Sequence, residues 1–336
     1  MHRFYNILNE AKAQIFNNVG MENNLPAFAV EKDWWVVQTL TILFETEIAR
    51  HTVFKGGTSL SKAWNIIERF SEDVDLAVDR KFYGFDGELG KKQRTKLRKT
   101  ANTYITETLY PELIKRFDEK GLVDVKLELE EIITSDQDPI IITVNYPNII
   151  ESPGYIKPLV QIELGCRSLF QPFSFKEFSS FVDQQYPDAS FNLSPINIPT
   201  VDPERTLLEK IFLLHEEFQR PEEKIRVERL SRHLYDIYKL SESPFAQKVF
   251  TNKELYSEIV KHRLNYTKLG GVNYTLHNPK TINPIPPLNL MNAWKKDYQT
   301  MQEQMIHGES PNFEVMIEAI KTYISKINQL DWEIIV

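Results

Sequence analysis

The chain has 336 residues, of which 42% are hydrophobic and 26% charged, which is ordinary for a globular protein of one large domain or two smaller ones. The net charge of −7 excludes the global cationic field of a dedicated nucleic-acid-binding protein, so any nucleic-acid contact must come from a local basic patch. The single cysteine, Cys166, excludes an intrachain disulfide framework and fits a reducing, cytoplasmic compartment.

The first 200 residues alternate between helical and strand-like hydrophobic patterns. Predicted helices cover 3–18, 28–49, roughly 60–68 and 91–118, and predicted strands cover 51–55, 73–78, 122–130, 139–146 and 157–165. The first helix carries charged residues within its apolar pattern, unlike a signal peptide. The sequence contains no run of 18 apolar residues, so it predicts no membrane span. Proline and serine cluster at 147–158 and 186–203, and the second cluster is the predicted domain boundary.

Beyond that boundary the pattern is helical. Predicted helices cover 203–219, 222–240, 244–250, 253–264 and 311–328, and a Gly/Asn/Pro-rich loop covers 270–290. A loop of that length is either functional or a surface excursion. We therefore predict an N-terminal domain over residues 1–200 and a helical domain over 201–336.

A glycine-rich turn follows the strand predicted at 51–55 and consists of Gly56, Gly57, Thr58 and Ser59. Glycine allows close approach of the backbone to a ligand and a positive φ, and a helix N-terminus suits phosphate. Thr58 or Ser59 is expected to cap the helix, and Lys55 and Lys62 flank the turn as possible phosphate contacts. The turn is not a Walker A loop, and taken alone it is more typical of an ordinary strand-to-helix connection than of a phosphate site.

Two aspartates share one face of the strand predicted at 73–78, because Asp73 and Asp75 alternate with apolar residues. Neighbouring carboxylates repel each other, and such a pair is most naturally held together by Mg²⁺, with Mn²⁺ as the alternative ion. A solvated strand face is the alternative for an isolated Asp-x-Asp. The glycine turn one helix length earlier favours the metal.

A third carboxylate is expected on a neighbouring strand. Glu163 is favoured, because segment 157–165 repeats the alternating pattern of 73–78, while Glu128 and Glu130 remain alternatives. An exposed strand glutamate is the structural reading of the same pattern. Three carboxylates can ligate two ions, and the third can also act as a general base.

Two side chains of the helical domain are also candidates. Lys210 lies at the rim of the apolar stripe of the helix that begins after Asp202, so it either reaches solvent or points across a cleft at triphosphate oxygens. Asp236 follows Arg232 by four residues, a spacing that by itself indicates an exposed salt bridge.

The helix predicted at 91–118 begins with six basic residues within positions 91–99. A solvated helix face is the usual explanation for such a run. In a chain of net charge −7 it is nevertheless the best candidate for contacts to RNA phosphates.

Several segments in order resemble a known family. They are Glu31-Lys32-Asp33-Trp34, Phe54-Lys55-Gly56-Gly57-Thr58-Ser59-Leu60, Arg69-Phe70-Ser71-Glu72-Asp73-Val74-Asp75-Leu76, Pro203-Glu204-Arg205-Thr206-Leu207-Leu208-Glu209-Lys210 and Arg232-His233-Leu234-Tyr235-Asp236-Ile237. Together they resemble the AbiEii/AbiGii-type toxins, nucleotidyltransferases of type IV toxin–antitoxin and phage abortive-infection systems. The resemblance implies an α+β fold, with a DNA-polymerase-β-like core of a mixed sheet and flanking helices, followed by a mainly helical domain that completes the active-site cleft.

The resemblance also implies the roles of the residues. The glycine turn holds the nucleotide phosphates, Asp73 and Asp75 bind Mg²⁺, and Lys210 and Asp236 complete the site. Family members transfer a nucleotide from an NTP to an acceptor, tRNA in some cases, inhibit growth, and are accompanied by a separately encoded antitoxin. The chain departs from the usual Gly-Ser pattern, because Gly57 is followed by Thr58 and then Ser59, which leaves open which hydroxyl contacts phosphate.

The sequence thus predicts a Mg²⁺-dependent nucleotidyltransferase toxin acting on RNA or protein. The predicted catalytic residues are Asp73, Asp75, Glu163, Lys210 and Asp236, with Asp73, Asp75 and Glu163 as metal ligands and Lys55, Gly56, Gly57, Thr58, Ser59 and Lys62 as nucleotide contacts. A non-catalytic nucleotide- or partner-binding protein and a metal-dependent phosphoesterase or nuclease are the alternatives.

Overall fold

The computed structural model describes residues 3–71, 73–152 and 157–334. The chain divides into two compact units, one containing residues up to Ala63 and Phe70–Val201, the other containing Trp64–Arg69 and Asp202 onward. The second unit therefore begins one residue later than the predicted boundary and also includes the six-residue segment Trp64–Arg69 from the N-terminal part of the sequence. Of the helices in the described part of the chain, none combines the length and apolar character that crossing a membrane requires.

The described strands of the first unit form one mixed sheet of seven strands in the order β3-β4-β5-β2-β1-β7-β6. They are β1 (Thr52–Lys55), β2 (Asp73–Val78), β3 (Lys126–Leu129), β4 (Ile140–Asn145), β5 (Leu159–Gly165), β6 (Phe173–Phe178) and β7 (Ile196–Val201). β2 runs parallel to β5 and β1 parallel to β7, whereas the other neighbours are antiparallel. This arrangement makes β2 and β5 direct neighbours.

Helices of the first unit flank this sheet. They are α1 (Asn9–Asn23), α2 (Ala27–Leu43), α3 (Gly56–Lys62), α4 (Lys91–Tyr104), α5 (Tyr110–Glu119) and α6 (Phe181–Gln185). α2 is apolar around most of its circumference and is buried along almost its whole length, packing against α1, α5, α6 and the strands β2 and β5. Val74, Leu76 and Ile162 are fully buried on the sheet, so the alternate positions of β2 and β5 are left to carry polar groups.

The second unit is helical beyond residue 202. Its helices are α7 (Pro203–Glu217), α8 (Ser231–Glu242), α9 (Ala246–Val249), α10 (Lys253–His262), α11 (Met291–Gln304) and α12 (Phe313–Asn328). α8 packs against α7, α11 and α12, and its Leu234 and Ile237 are fully buried. The long loop 270–290 is not a loose excursion, because Tyr274, His277 and Ile282 within it are buried.

The predicted fold class is confirmed: an α+β core with a mixed sheet and flanking helices, followed by a mainly helical part. Several predicted boundaries are wrong. The segment 196–201, predicted as part of a linker, is strand β7, which contains Pro199 and pairs with β6 along its length. Proline removes a ladder donor and normally indicates a strand edge or a loop, which is why this strand was missed.

The helix predicted at 222–240 begins only at residue 231. Arg229 has a φ of +61°, which ends any helix before it. The carboxylate of Asp297 on α11 then accepts hydrogen bonds from the backbone N–H groups of Arg229 and Ser231, at 2.8 and 3.0 Å. The start of α8 is therefore fixed by a side chain 66 residues away, which local sequence signals do not show.

Candidate active site

The glycine turn directly follows β1 and forms the first four residues of α3. α3 begins at Gly56 and ends at Lys62, so the helix predicted at 60–68 with Thr58 or Ser59 as its cap is wrong. Thr58 Oγ1 instead donates to the backbone oxygen of Asp73 at 2.6 Å, and Ser59 Oγ donates to the backbone oxygen of Gly56 at 2.8 Å. Thr58 thereby ties the turn to the first residue of β2.

Gly56 packs directly on Asp75. Gly56 has a φ of +78°, and a Cβ atom at this position would lie 1.9 Å from Asp75 Oδ2. Lys55, the preceding residue, is the register partner of Asp75 across the antiparallel β1–β2 pair. Glycine is thus required here both for the backbone conformation and for the close approach of a carboxylate.

The parallel pairing of β2 and β5 brings the predicted carboxylates to one face of the sheet. Asp75 is the register partner of Glu163, and Asp73 is the register partner of Gln161. Partners in register lie about 4.8 Å apart and point to the same face. The side chains of Asp73, Asp75 and Glu163 are all partly buried.

The two alternatives to Glu163 lie farther from the aspartates. Glu128 is exposed on β3, and both β4 and β5 separate it from β2. Glu130 follows β3, and its Oε1 accepts a hydrogen bond of 3.2 Å from Gln161 Nε2. Register therefore favours Glu163 as the carboxylate beside Asp75.

The donor chemistry of this face fits a hard divalent cation, because its three acids supply only oxygen ligands. Within the described ranges, no three His, Cys, Asp or Glu side chains are already gathered as a finished metal site. Register brings Asp75 and Glu163 together at the backbone level, where a bound cation would offset the repulsion between the two carboxylates.

The structure places the two flanking lysines differently. Lys55 is half-buried on the same face as Asp75, opposite it in the ladder. Lys62 is buried, with its Nζ 2.7 Å from Asp33 Oδ1 and 4.0 Å from the centroid of the Phe181 ring. Asp33 also accepts a 2.8 Å hydrogen bond from the backbone of Phe181. Lys62 thus joins α3 to α2 and α6, which is a structural role.

A buried ionic network in the second unit contains Lys210 and Asp236. Lys210 Nζ lies 2.8 Å from Asp236 Oδ2, and Arg69 donates to both oxygens of Asp236 at 2.7 and 2.8 Å. Asp236 is fully buried, so the exposed salt bridge with Arg232 that spacing indicated is wrong. Lys210 also contacts His233 Nδ1 at 3.4 Å.

The network perturbs the ionisation of its members. Burial alone would raise the pKa of Asp236, but the charges of Arg69 and Lys210 hold this pKa well below its ordinary value. Burial lowers the pKa of Lys210, and Arg69 adds to that effect while Asp236 opposes it. Burial and the charge of Lys210 also hold the pKa of His233 well below 6.5, so His233 is neutral and its Nδ1 accepts from the Lys210 ammonium.

Sequence reasoning gave no role to Arg69 or Asp33. Both are buried charges whose partners are far away in sequence: Arg69 and Asp236 are 167 residues apart. The available signal was the position of both residues inside segments that carry the family resemblance.

The basic run forms the exposed start of α4. Leu97 is buried and Arg98 pairs with Asp136, which fixes the inner side of the helix. The remaining lysines, which are all exposed, are Lys91, Lys92, Lys96 and Lys99. These four lysines form the basic face of α4.

Comparison with known proteins identifies the family. A family model described as nucleotidyl transferase AbiEii toxin, type IV toxin–antitoxin system, matches residues 40–325. The chain belongs to the AbiEii family of nucleotidyltransferase toxins. The matched range contains the glycine turn, the carboxylates of Asp73, Asp75 and Glu163, and the side chains of Lys210 and Asp236. Membership of a toxin–antitoxin family implies an antitoxin partner.

A solved structure of a nucleotidyltransferase toxin shares the fold of this AbiEii protein. MenT4, a nucleotidyltransferase toxin from Mycobacterium tuberculosis H37Rv, is 15% identical with a TM-score of 0.52, over 97% of this chain and 91% of MenT4. JHP933 from Helicobacter pylori is 11% identical with a TM-score of 0.42, over 87% of this chain and 90% of its own. Curated protein sequences gave no match.

Proposed function

We propose that this AbiEii protein is a Mg²⁺-dependent enzyme that transfers a nucleotide from an NTP to an acceptor and releases pyrophosphate. The observation that carries the proposal is the parallel register of β2 and β5, which places Asp75 beside Glu163 on the face that also carries Asp73. Three acids on one face are more than nucleotide binding alone requires. Family membership favours transfer over hydrolysis.

The sheet carboxylates have two tasks in this proposal. Asp73, Asp75 and Glu163 would hold Mg²⁺ or Mn²⁺, which when bound stabilises negative charge on the phosphoryl oxygens. Glu163 accepts the proton of the acceptor hydroxyl while the oxygen of that hydroxyl forms a bond to the α-phosphorus. The bond from the α-phosphorus to the β-bridging oxygen breaks, and the electron pair leaves with pyrophosphate.

The remaining predicted residues position the triphosphate. Gly56 and its neighbours let the backbone approach the phosphates, and Lys55 supplies a positive charge on the face that bears Asp75. Lys210 donates to triphosphate oxygens, and Asp236 orients Lys210 through their 2.8 Å contact. Lys62 is left out, because its ammonium is paired with Asp33.

RNA is the proposed acceptor, with tRNA as one candidate. The exposed lysines of the basic face of α4 supply the positive charges that neutralise backbone phosphates. Transfer to an essential RNA in the cytoplasm would inhibit growth, which suits a toxin used in phage defence and controlled by a separate antitoxin.

The direct experiment incubates the purified protein with Mg²⁺, each radiolabelled NTP in turn, and total cellular RNA or total cellular protein. We expect one NTP to label RNA. Cleaved RNA without label would instead support a nuclease, and NTP binding without label in either fraction would support a non-catalytic protein.

Matched carboxylate variants test the site. Asp75→Asn and Glu163→Gln are expected to reduce transfer by about 10²-fold or more, because each removes a negative charge from the reacting face. Glu128→Gln, a like change on the same sheet, is the control and should stay within about twofold of wild type. Equal effects of Glu163→Gln and Glu128→Gln would remove Glu163 from the site.

A charge series tests the RNA surface. Lys92→Glu and Lys96→Glu should weaken RNA binding and reduce its salt dependence, since each lost phosphate contact lowers the slope by about one. Lys261→Glu, an exposed lysine of α10, is the control. Unchanged RNA labelling in the Lys92→Glu/Lys96→Glu double variant would contradict the role of this face.

A further inference from the structure

Arg69 contacts both carboxylate oxygens of Asp236 in the buried network around Lys210. Its Nε donates to Asp236 Oδ1 at 2.7 Å and its Nη2 donates to Asp236 Oδ2 at 2.8 Å, with Arg69 3% and Asp236 0% exposed. This two-pronged contact engages both carboxylate oxygens. Asp236 therefore binds Lys210 through an oxygen that it already shares with Arg69.

The backbone around Arg69 is held in place by independent contacts within the second unit. The carbonyl of Glu68 accepts a 3.0 Å hydrogen bond from the backbone N–H of His307, and the side chain of Glu68 pairs with Lys239 at 2.7 Å. The backbone N–H of Glu68 donates to the hydroxyl of Tyr235 at 3.3 Å. The position of the guanidinium is thus set by the fold of the segment Trp64–Arg69 rather than by the ion pair alone.

We propose that Arg69 is a positioning residue for nucleotidyl transfer: it fixes Asp236 and weakens the hold of Asp236 on Lys210, so that the Lys210 ammonium is available to phosphate oxygens of the substrate. A buried lysine paired one-to-one with an aspartate would be held firmly, because both charges lack solvent. A shared oxygen, with neutral His233 as a second acceptor at 3.4 Å, makes that hold weaker. The inference rests on the proposed function.

The same geometry predicts how Lys210 titrates. The charged or titratable groups that act on Lys210 include Asp236, Arg232 and His233 on α8 and Arg69 on the segment 64–69. After burial, the positive charge of Arg69 is among the causes that lower the pKa of Lys210. Loss of the Arg69 charge should therefore raise this pKa.

The test uses the full chain with Arg69→Gln and Arg69→Lys. Arg263→Gln is the matched control, because Arg263 makes a like two-pronged contact with buried Glu216 in the same unit, at 2.6 and 2.5 Å. For each variant, kcat and KM for the NTP are measured. The pKa of Lys210 is measured by NMR of ¹³C-labelled lysine ε-carbons, with the resonance assigned by its loss in Lys210→Arg.

For Arg69→Gln we expect kcat to fall by about 10²-fold, because Lys210 is misplaced, and Lys210 to titrate at higher pH. Arg69→Lys keeps the charge and the fold but not the two-pronged contact, so kcat should fall by about tenfold while the pKa of Lys210 stays low. Arg263→Gln should lower the Tm. It should leave kcat within about twofold of wild type and the pKa of Lys210 within about 0.3 pH units, which is roughly the resolution of each measurement.

The proposal is overturned if Arg69→Lys retains full kcat, or if Arg69→Gln leaves the Lys210 titration unchanged. An equal loss of kcat in Arg69→Gln and Arg263→Gln would also overturn it, since the role of Arg69 would then be stability alone. The NMR titration needs no acceptor. If wild-type protein transfers no nucleotide, the proposed function fails, whereas the hold of Arg69 on the network is still decided by the titration.

Discussion

Replacement of Gly56 by alanine is the sharpest perturbation that the structure offers. The added Cβ would lie 1.9 Å from Oδ2, 2.7 Å from Cγ and 3.0 Å from Cβ of Asp75, and Gly56 has a φ of +78°. The left-handed backbone costs an alanine about 1–2 kcal/mol, and relief of the collision costs about 1–3 kcal/mol more. We therefore expect Gly56→Ala to lower the free energy of unfolding by about 2–5 kcal/mol and to displace the Asp75 carboxylate.

Gly84→Ala is the matched control for this prediction. Gly84 has a φ of +82°, but no atom lies within 4 Å of the position of its Cβ, so alanine there suffers backbone strain alone. In urea unfolding, Gly84→Ala should cost about 1–2 kcal/mol. In the Asp75→Ala background the two nearest colliding atoms are absent, and Gly56→Ala should cost about 1–2 kcal/mol less than in wild type. Equal costs for Gly56→Ala and Gly84→Ala would refute the reasoning.

Further predictions concern buried polar groups. Asp33→Ala leaves Lys62 buried without its Asp33 partner and should lower the free energy of unfolding in urea by about 3–5 kcal/mol. Lys62→Met should also lower stability but leave KM for the NTP unchanged. A raised KM would instead show that Lys62 contacts phosphate. Burial lowers the pKa of His215 from 6.5 to about 4, so the unfolded chain binds a proton between these values that the folded chain does not. Stability should thus be full above pH 6.5 and fall by roughly 3 kcal/mol as the pH drops to 4. His215→Asn, which keeps an acceptor for the backbone N–H of Asn283, should flatten that slope, and an unaltered slope in thermal melts across this pH range would contradict the assignment.

The carboxylate face could be predicted from sequence because strand alternation is local. Two short segments with period-two patterns placed Asp73, Asp75 and Glu163 correctly on strands, and the parallel pairing of β2 with β5 brings them to one face. The glycine turn was predicted as well, although the structure adds a second reason for glycine at position 56, which is the close approach of Asp75. Gly56 is required by the approach of Asp75, and no sequence pattern shows which side chain will press against a glycine.

The ionic networks could not be predicted, because their partners are set by tertiary structure. Asp236 was placed at the surface by its spacing from Arg232, whereas the fold pairs it with Arg69. Lys62 was assigned to phosphate by its nearness to the turn in sequence, whereas the fold pairs it with Asp33. Helical spacing predicts which residues share a face of a helix, but it does not predict which other element that face contacts.

The central claim is that the α-phosphate of an NTP is transferred and pyrophosphate is released. The most direct measurement compares the same NTP labelled at the α- or the γ-phosphate, with Mg²⁺ and total RNA, for wild type and Asp75→Asn. We predict that the α-label enters RNA, that the γ-label appears in pyrophosphate in equal amount, and that Asp75→Asn abolishes both. Entry of the γ-label into the acceptor, or loss of both labels to free nucleotide and inorganic phosphate, would contradict nucleotidyl transfer.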